Sequence, residues 1–121
     1  MALERGKLTD VITLAIGQTV AGVTVASNKK VYVKSIMAHA PYAGIASGTA
    51  QVYMVPNSGG SAGTISTANR IARIGVGTDD TYFFEPAYPI VLTKTGDSLQ
   101  VGQEGITANS MNFYATGDID L

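Results

Sequence analysis

Val52-Tyr-Met-Val-Pro56, the loop Asn57-Ser-Gly-Gly-Ser-Ala-Gly-Thr64, Ile71 to Val76, Asp79-Asp80, Thr81 to Phe84, Pro86, Pro89, Ile90-Val-Leu92, Gly96-Asp97 and Leu99-Gln-Val101 together decide the fold. Short apolar runs alternate with Gly, Pro and Asp punctuation, which is the pattern of antiparallel strands joined by turns. Strands of that length and spacing predict a sandwich or barrel. A sandwich hosts many activities, so the fold alone names none.

Working outward, Ile12, Leu14 and Ile16 share one face at period two, and Val23 and Val25 alternate with Thr24. The strand over 31–40 breaks its alternation: Val31, Val33 and Met37 oppose Tyr32, Ile36 and Ala38. That break fits a strand covered on both faces, or one bulged near Lys34-Ser35. Over 49–55, Ala50, Val52 and Met54 take one face and Gln51 and Tyr53 the other, until Pro56 ends the ladder. The last strand, over 111–116, turns Met111, Phe113 and Ala115 inward and Asn112 and Tyr114 outward. The best helical candidate, over 67–73, is short and runs into Ile74-Gly-Val76, so a strand starting near Arg70 is expected instead. The expected architecture is all-β: a single antiparallel β-sandwich, jelly-roll-like, of about eight strands over 11–121. Residues 1–10 form an extended N-terminal arm.

The chain has 121 residues, enough for one domain with its own core. Hydrophobic residues make up 45% and charged ones 14%, against roughly 25% charged in soluble domains. Such a deficit of charge hints at surface covered by partners. Eight basic and nine acidic residues leave a net charge of −1, with no basic run beyond Lys29-Lys30, which disfavours nucleic-acid binding. No cysteine is present, which removes disulfides and thiol chemistry. No window approaches the roughly 18 apolar residues of a membrane span, and Glu4, Arg5, Lys7 and Asp10 occupy the place of a signal peptide's apolar stretch. A soluble protein without membrane association is expected.

Candidate chemistry is sparse. His39 is the only histidine, no G-x-S-x-G elbow exists, and His39 reads as a strand-end side chain. Ser27-Asn-Lys-Lys30 matches S-x-x-K but lacks the companion motifs, and reads as a turn. The Gly-rich loop has no P-loop lysine and reads as a flexible connection or contact loop. Asp79-Asp80 and Asp118-Ile-Asp120 read as a solvated turn and a solvated tail, since a hard cation needs about six oxygens. No enzyme, metal or cofactor is therefore expected. Of Tyr82-Phe83-Phe84, two should be core and at most one interface. Tyrosines pointing off the apolar faces can anchor partners or stack on sugars. A glycan module would bind through Tyr53 or Tyr114.

The order Tyr32-Val-Lys-Ser-Ile36, Val52-Tyr-Met-Val-Pro56, Ser58-Gly-Gly-Ser-Ala-Gly-Thr64, Ala68-Asn-Arg-Ile71 and Thr95-Gly-Asp-Ser-Leu-Gln-Val101 resembles small β-sandwich virion proteins of tailed bacteriophages, of the capsid decoration or cement type. The resemblance covers about residues 31 to 118. It implies a non-enzymatic structural protein, assembled in the host cytoplasm onto the outer capsid surface. The implied partners are the major capsid protein and further copies of the chain, a trimer being favoured. Related sandwiches serve in the neck or tail. On this reading the partner-binding residues are Leu3, Arg5 and Leu8 of the arm, with Tyr42, Asn57, Tyr53 and Tyr114. Deleting residues 1–10 should then leave the domain folded and abolish capsid binding.

Overall fold

A computed structural model describes residues 3–15, 17–26, 29–40, 48–77, 80–105 and 111–120. Ten strands are present there: β1 (Leu3–Lys7), β2 (Ile12–Leu14), β3 (Thr19–Thr24), β4 (Lys30–His39), β5 (Gly48–Val55), β6 (Arg70–Val76), β7 (Thr81–Phe84), β8 (Ile90–Leu92), β9 (Ser98–Gly105) and β10 (Met111–Asp120). They form two antiparallel sheets. One runs β1-β10-β4-β7, with β2 added to β10 and β8 to β4; the other runs β3-β9-β5-β6. Sequence neighbours repeatedly fall in different sheets, so the chain crosses the sandwich many times, as a jelly roll does. The expected all-β sandwich is the observed fold.

The core forms where the apolar faces of the sheets meet. Val33, Ile36, Met111 and Phe113 from one sheet and Leu99, Val101, Ala50 and Val52 from the other are buried together. The β10, β9 and β5 sets sit at period two along their strands, which is why one face of each sheet is apolar, whereas Val33 and Ile36 of β4 are three residues apart. The irregularity of β4 is a bulge. Val33 pairs with Gly117 and Ser35 with Thr116, leaving Lys34 as the extra residue. One inserted residue flips the face parity, so Val31 and Val33 before it and Ile36 and Ala38 after it all reach the core. The candidate helix over 67–73 is a single 3₁₀ turn at Thr67–Asn69, closed by the Ser66 amide donating to Asn69 Oδ1 at 3.0 Å, and the strand does begin at Arg70.

Three expectations are corrected. The arm is not separate from the sandwich: residues 3–7 pair along β10 from Leu3 opposite Asp120 to Lys7 opposite Thr116, and the Leu8 amide donates to the Ala115 carbonyl at 2.7 Å. Extended backbone beside an open strand edge satisfies its hydrogen bonds there at little cost in chain closure. Removing residues 1–10 would thus strip the edge of β10 and should lower stability as well as remove contacts. The Asp118–Asp120 segment is no tail, since it completes β10; Asp118 is only 6% exposed and its Oδ2 lies 2.8 Å from Lys34 Nζ. The bulge that inserts Lys34 places that ammonium beside the buried carboxylate.

The third correction concerns the Gly/Ser loop. Ser58 and Ser61 bridge each other across Gly59-Gly60, whose φ values of 62° and 88° suit a tight turn of primed type. The loop is also docked: Asp97 Oδ1 accepts from the Asn57 amide at 3.0 Å and from Asn57 Nδ2 at 3.1 Å. Burial by itself would raise the Asp97 pKa, but the hydrogen bonds from Asn57 and from the Lys94 amide outweigh it and hold the carboxyl below its ordinary value. A carboxyl so depressed contributes stability that is complete above the unfolded-chain value of about 3.9 and is lost as pH falls through the folded value. Stability of the wild-type chain should therefore drop below about pH 4 by a component missing in Asp97→Ala, measured as urea midpoints against pH. If the two acid profiles run parallel, Asp97 does not hold the loop.

Gly96 supplies the seat for that loop. Its φ is +91°, and a Cβ there would lie 2.6 Å from Gly60 C and 2.8 Å from Asn57 Cβ. Gly96→Ala should cost about 1–2 kcal/mol, capped by the free energy of docking the loop, because the loop can lift off without opening the core. The check is faster proteolytic nicking within residues 57–64 with little change in core hydrogen exchange.

Candidate functional site

The two outer faces of the sandwich differ. On the four-stranded sheet, Val55, Ser98, Gln100 and Tyr53 point away from the core, yet all are buried. The docked loop covers part of that face: Gln100 Nε2 donates to the Gly63 carbonyl and to Ser98 Oγ, both at 3.0 Å. Beside it the Tyr53 hydroxyl donates to Gln51 Oε1 at 2.6 Å, and Gln51 Nε2 donates to Glu104 Oε2 at 2.7 Å. Arg73 Nη2 reaches the same carboxylate oxygen at 3.1 Å. This chain of hydrogen bonds satisfies polar groups that the cover would otherwise leave unpaired.

Tyr53, at 5% exposure with its hydroxyl engaged, thus offers no ring face to a partner or a sugar. Alternation identified the face but not its burial. Asn57 likewise spends its side chain within the molecule, on Asp97. Leu8 packs against the core. Leu3 and Arg5 lie in β1 opposite Asp120 and Asp118. Tyr42 lies outside the described residues.

The six-stranded sheet leaves its outer face open, and Tyr114 is on it. Register places Phe83 of β7 beside Met37 of β4 and Met37 beside Tyr114 of β10. Ile12 pairs with Phe113, so Val11, one residue earlier, continues the row next to Tyr114. Val11, Tyr114, Lys7, Thr9 and Asp10 line a shallow depression of about 260 Å³. Phe83 is 52% and Val11 62% exposed, and these flank the half-buried Met37 and Tyr114. Four apolar side chains in a line across three strands and the residue leading into β2 make a contiguous patch, which solvent-facing sheet surfaces ordinarily avoid.

The rim of that row is polar and internally matched. His39 Nδ1 and Thr81 Oγ1 are 2.7 Å apart, and Thr13 Oγ1 donates to Asn112 Oδ1 at 2.8 Å, forming a neighbouring row. On the other side Lys7 pairs with Asp10, which raises the lysine pKa and lowers that of the aspartate through a hydrogen bond reinforced by charge attraction. An apolar centre with a satisfied polar rim is the anatomy of a protein interface. Of Tyr82-Phe83-Phe84, Tyr82 and Phe84 pack against the core and Phe83 faces out, the expected two and one. Phe83, Met37 and Val11 were not among the expected binding residues. The odd exposed member of the aromatic triplet was their only signal. Among the described residues no three His, Asp or Glu side chains gather as a metal site.

No family model matches the sequence. No curated protein matches it either. Among solved structures, the chain is similar to the structure of the infectious bursal disease virus Gt strain, at 11% identity and a TM-score of 0.38, covering 98% of this chain and 32% of that one. It is also similar to the infectious bursal disease virus VP2 subviral particle, at 12% identity and a TM-score of 0.39, with 98% and 32% covered. The chain thus spans about a third of the length of the structures it resembles.

Proposed function

We propose that this chain is a non-enzymatic structural protein of a virus particle. In this reading it is a phage capsid decoration protein that adheres to the outer shell across neighbouring major capsid subunits. The observation that carries the reading is the row Phe83–Met37–Tyr114–Val11, an open apolar patch on one sheet of a sandwich whose other sheet is partly covered by its own loop. The order of motifs from Tyr32 to Val101, which resembles such virion proteins, supplies the phage context.

The mechanism is passive adhesion. Burying the row against a capsid subunit removes apolar surface from water, at about 25 cal/mol per Å². Repetition over a symmetric shell, with copies joined as trimers, turns a modest affinity per copy into avidity. Bridging two subunits opposes their separation, so the shell resists internal pressure better with the protein bound.

Quantitative mass measurement on intact virions tests this. Copy numbers on the order of hundreds per particle support a decoration role; tens would move the chain to the neck or tail, the second placement open to this fold. Absence from purified particles would sink the virion reading.

A further inference from the structure

Among the described residues the four-stranded sheet ends on one side at β6, whose one paired strand is β5. Sheet edges invite added strands unless something blunts them, and the other edges among the described residues are short, charged or irregular. β3 carries a register shift at Gly22, β1 a Gly6 at φ +132°, and β7 and β8 are four and three residues long with Pro86 and Pro89 between them. β6 runs seven residues without proline. Its own irregularity, at Ile71, lies at the start and leaves Ala72–Val76 in unbroken register with Val52–Gly48.

The chemistry of this edge specifies what would fit. Ala72 and Ile74 pair with the core residues Val52 and Ala50 and share their face, while Arg70 and Arg73 pair with Tyr53 and Gln51 on the opposite face. A strand laid beside β6 therefore meets apolar neighbours on one face and two guanidinium groups, offset by Glu104, on the other. A second copy of β6 fits poorly: antiparallel registers centred on Arg73, or joining Arg70 to Arg73, set like charges directly opposite.

We propose that β6 accepts an extended segment of a partner protein in which apolar residues alternate with acidic ones, adding a fifth strand to this sheet. Backbone hydrogen bonds supply affinity; Arg70 and Arg73 select the acidic side chains. This edge and the Phe83–Val11 face lie on different sheets, so loss of one leaves the other testable.

The probe is a capped peptide alternating valine and glutamate, titrated into the full chain with amide hydrogen exchange and NMR shifts as readouts. Slowed exchange confined to alternate amides of β6 is expected. An alternately N-methylated peptide and a valine–lysine peptide should both fail to bind. Arg70→Gln and Arg73→Gln, at partly or fully exposed positions where folding is preserved, should each weaken binding by about fivefold. Equal binding of the N-methylated peptide, protection at β3 instead of β6, or no binding at millimolar peptide would overturn the proposal. So would β6 protection that rises with protein concentration alone, because the occupant would then be a second copy.

Discussion

Gly117→Ala is expected to be the most damaging alanine substitution among the described glycines, lowering the melting temperature by roughly 10 °C or more. A Cβ at this position would lie 1.9 Å from the Tyr32 carbonyl oxygen and 3.1 Å from Leu8 Cδ1. The first of these is backbone of the neighbouring strand, so no rotamer change can relieve it. The cause is the bulge: inserting Lys34 into β4 drives the Tyr32 carbonyl toward Gly117 exactly where the register shifts between Thr116 and Gly117. β10 and β4 are the central pair of the six-stranded sheet, so the clash cannot be shed by local fraying as it can at Gly96. Overpacking of this kind costs about 3 kcal/mol, a large part of the 5–15 kcal/mol typical of a domain. Gly75→Ala is the control. Its Cβ would meet nothing within 4 Å, and its effect should stay within about 0.5 kcal/mol. Equal melting temperatures for the two variants would mean that β10 and β4 are not bulged in this register.

That bulge also shows what a sequence can and cannot disclose. The broken alternation of Val31, Val33, Ile36 and Ala38 announced a bulge near Lys34, because face parity is a property of one strand. The inward set of β10 was legible for the same reason. The burial of Tyr53 was illegible because alternation assigns a residue to a face without saying what lies over it; part of that face is covered by a loop docked through Asp97, forty residues from Asn57. Asp118 was misread because its partner, Lys34, arrives only through pairing of distant strands. The apolar row was illegible as a row. It joins residues 11, 37, 83 and 114, and only the register of four strands brings them into line.

Charging that row should abolish assembly while leaving the fold intact. Phe83→Asp with Val11→Asp alters the two ends of the row, both more than half exposed, so neither aspartate is forced into the core and stability should change by about 1 kcal/mol or less. At an interface the same two carboxylates would be desolvated opposite an apolar surface, where truncation of a central aromatic alone commonly costs 2 kcal/mol or more. Binding to capsids purified without the protein should fall by about a thousandfold, since each 1.4 kcal/mol is a factor of ten. Tyr53→Phe provides the contrast. It removes the hydroxyl that donates to Gln51 on the covered sheet, which should cost about 1 kcal/mol of stability and leave capsid binding unchanged. Met37 and Tyr114 lie between the charged ends, half-buried and held by packing on either side, so Tyr114→Ser should produce an intermediate loss by vacating the centre of the patch. Co-sedimentation with capsids, with circular dichroism on the same samples, separates the outcomes. Wild-type binding by the doubly charged variant would remove this face from any role in adhesion. Lost binding by Tyr53→Phe with its fold retained would transfer that role to the opposite sheet.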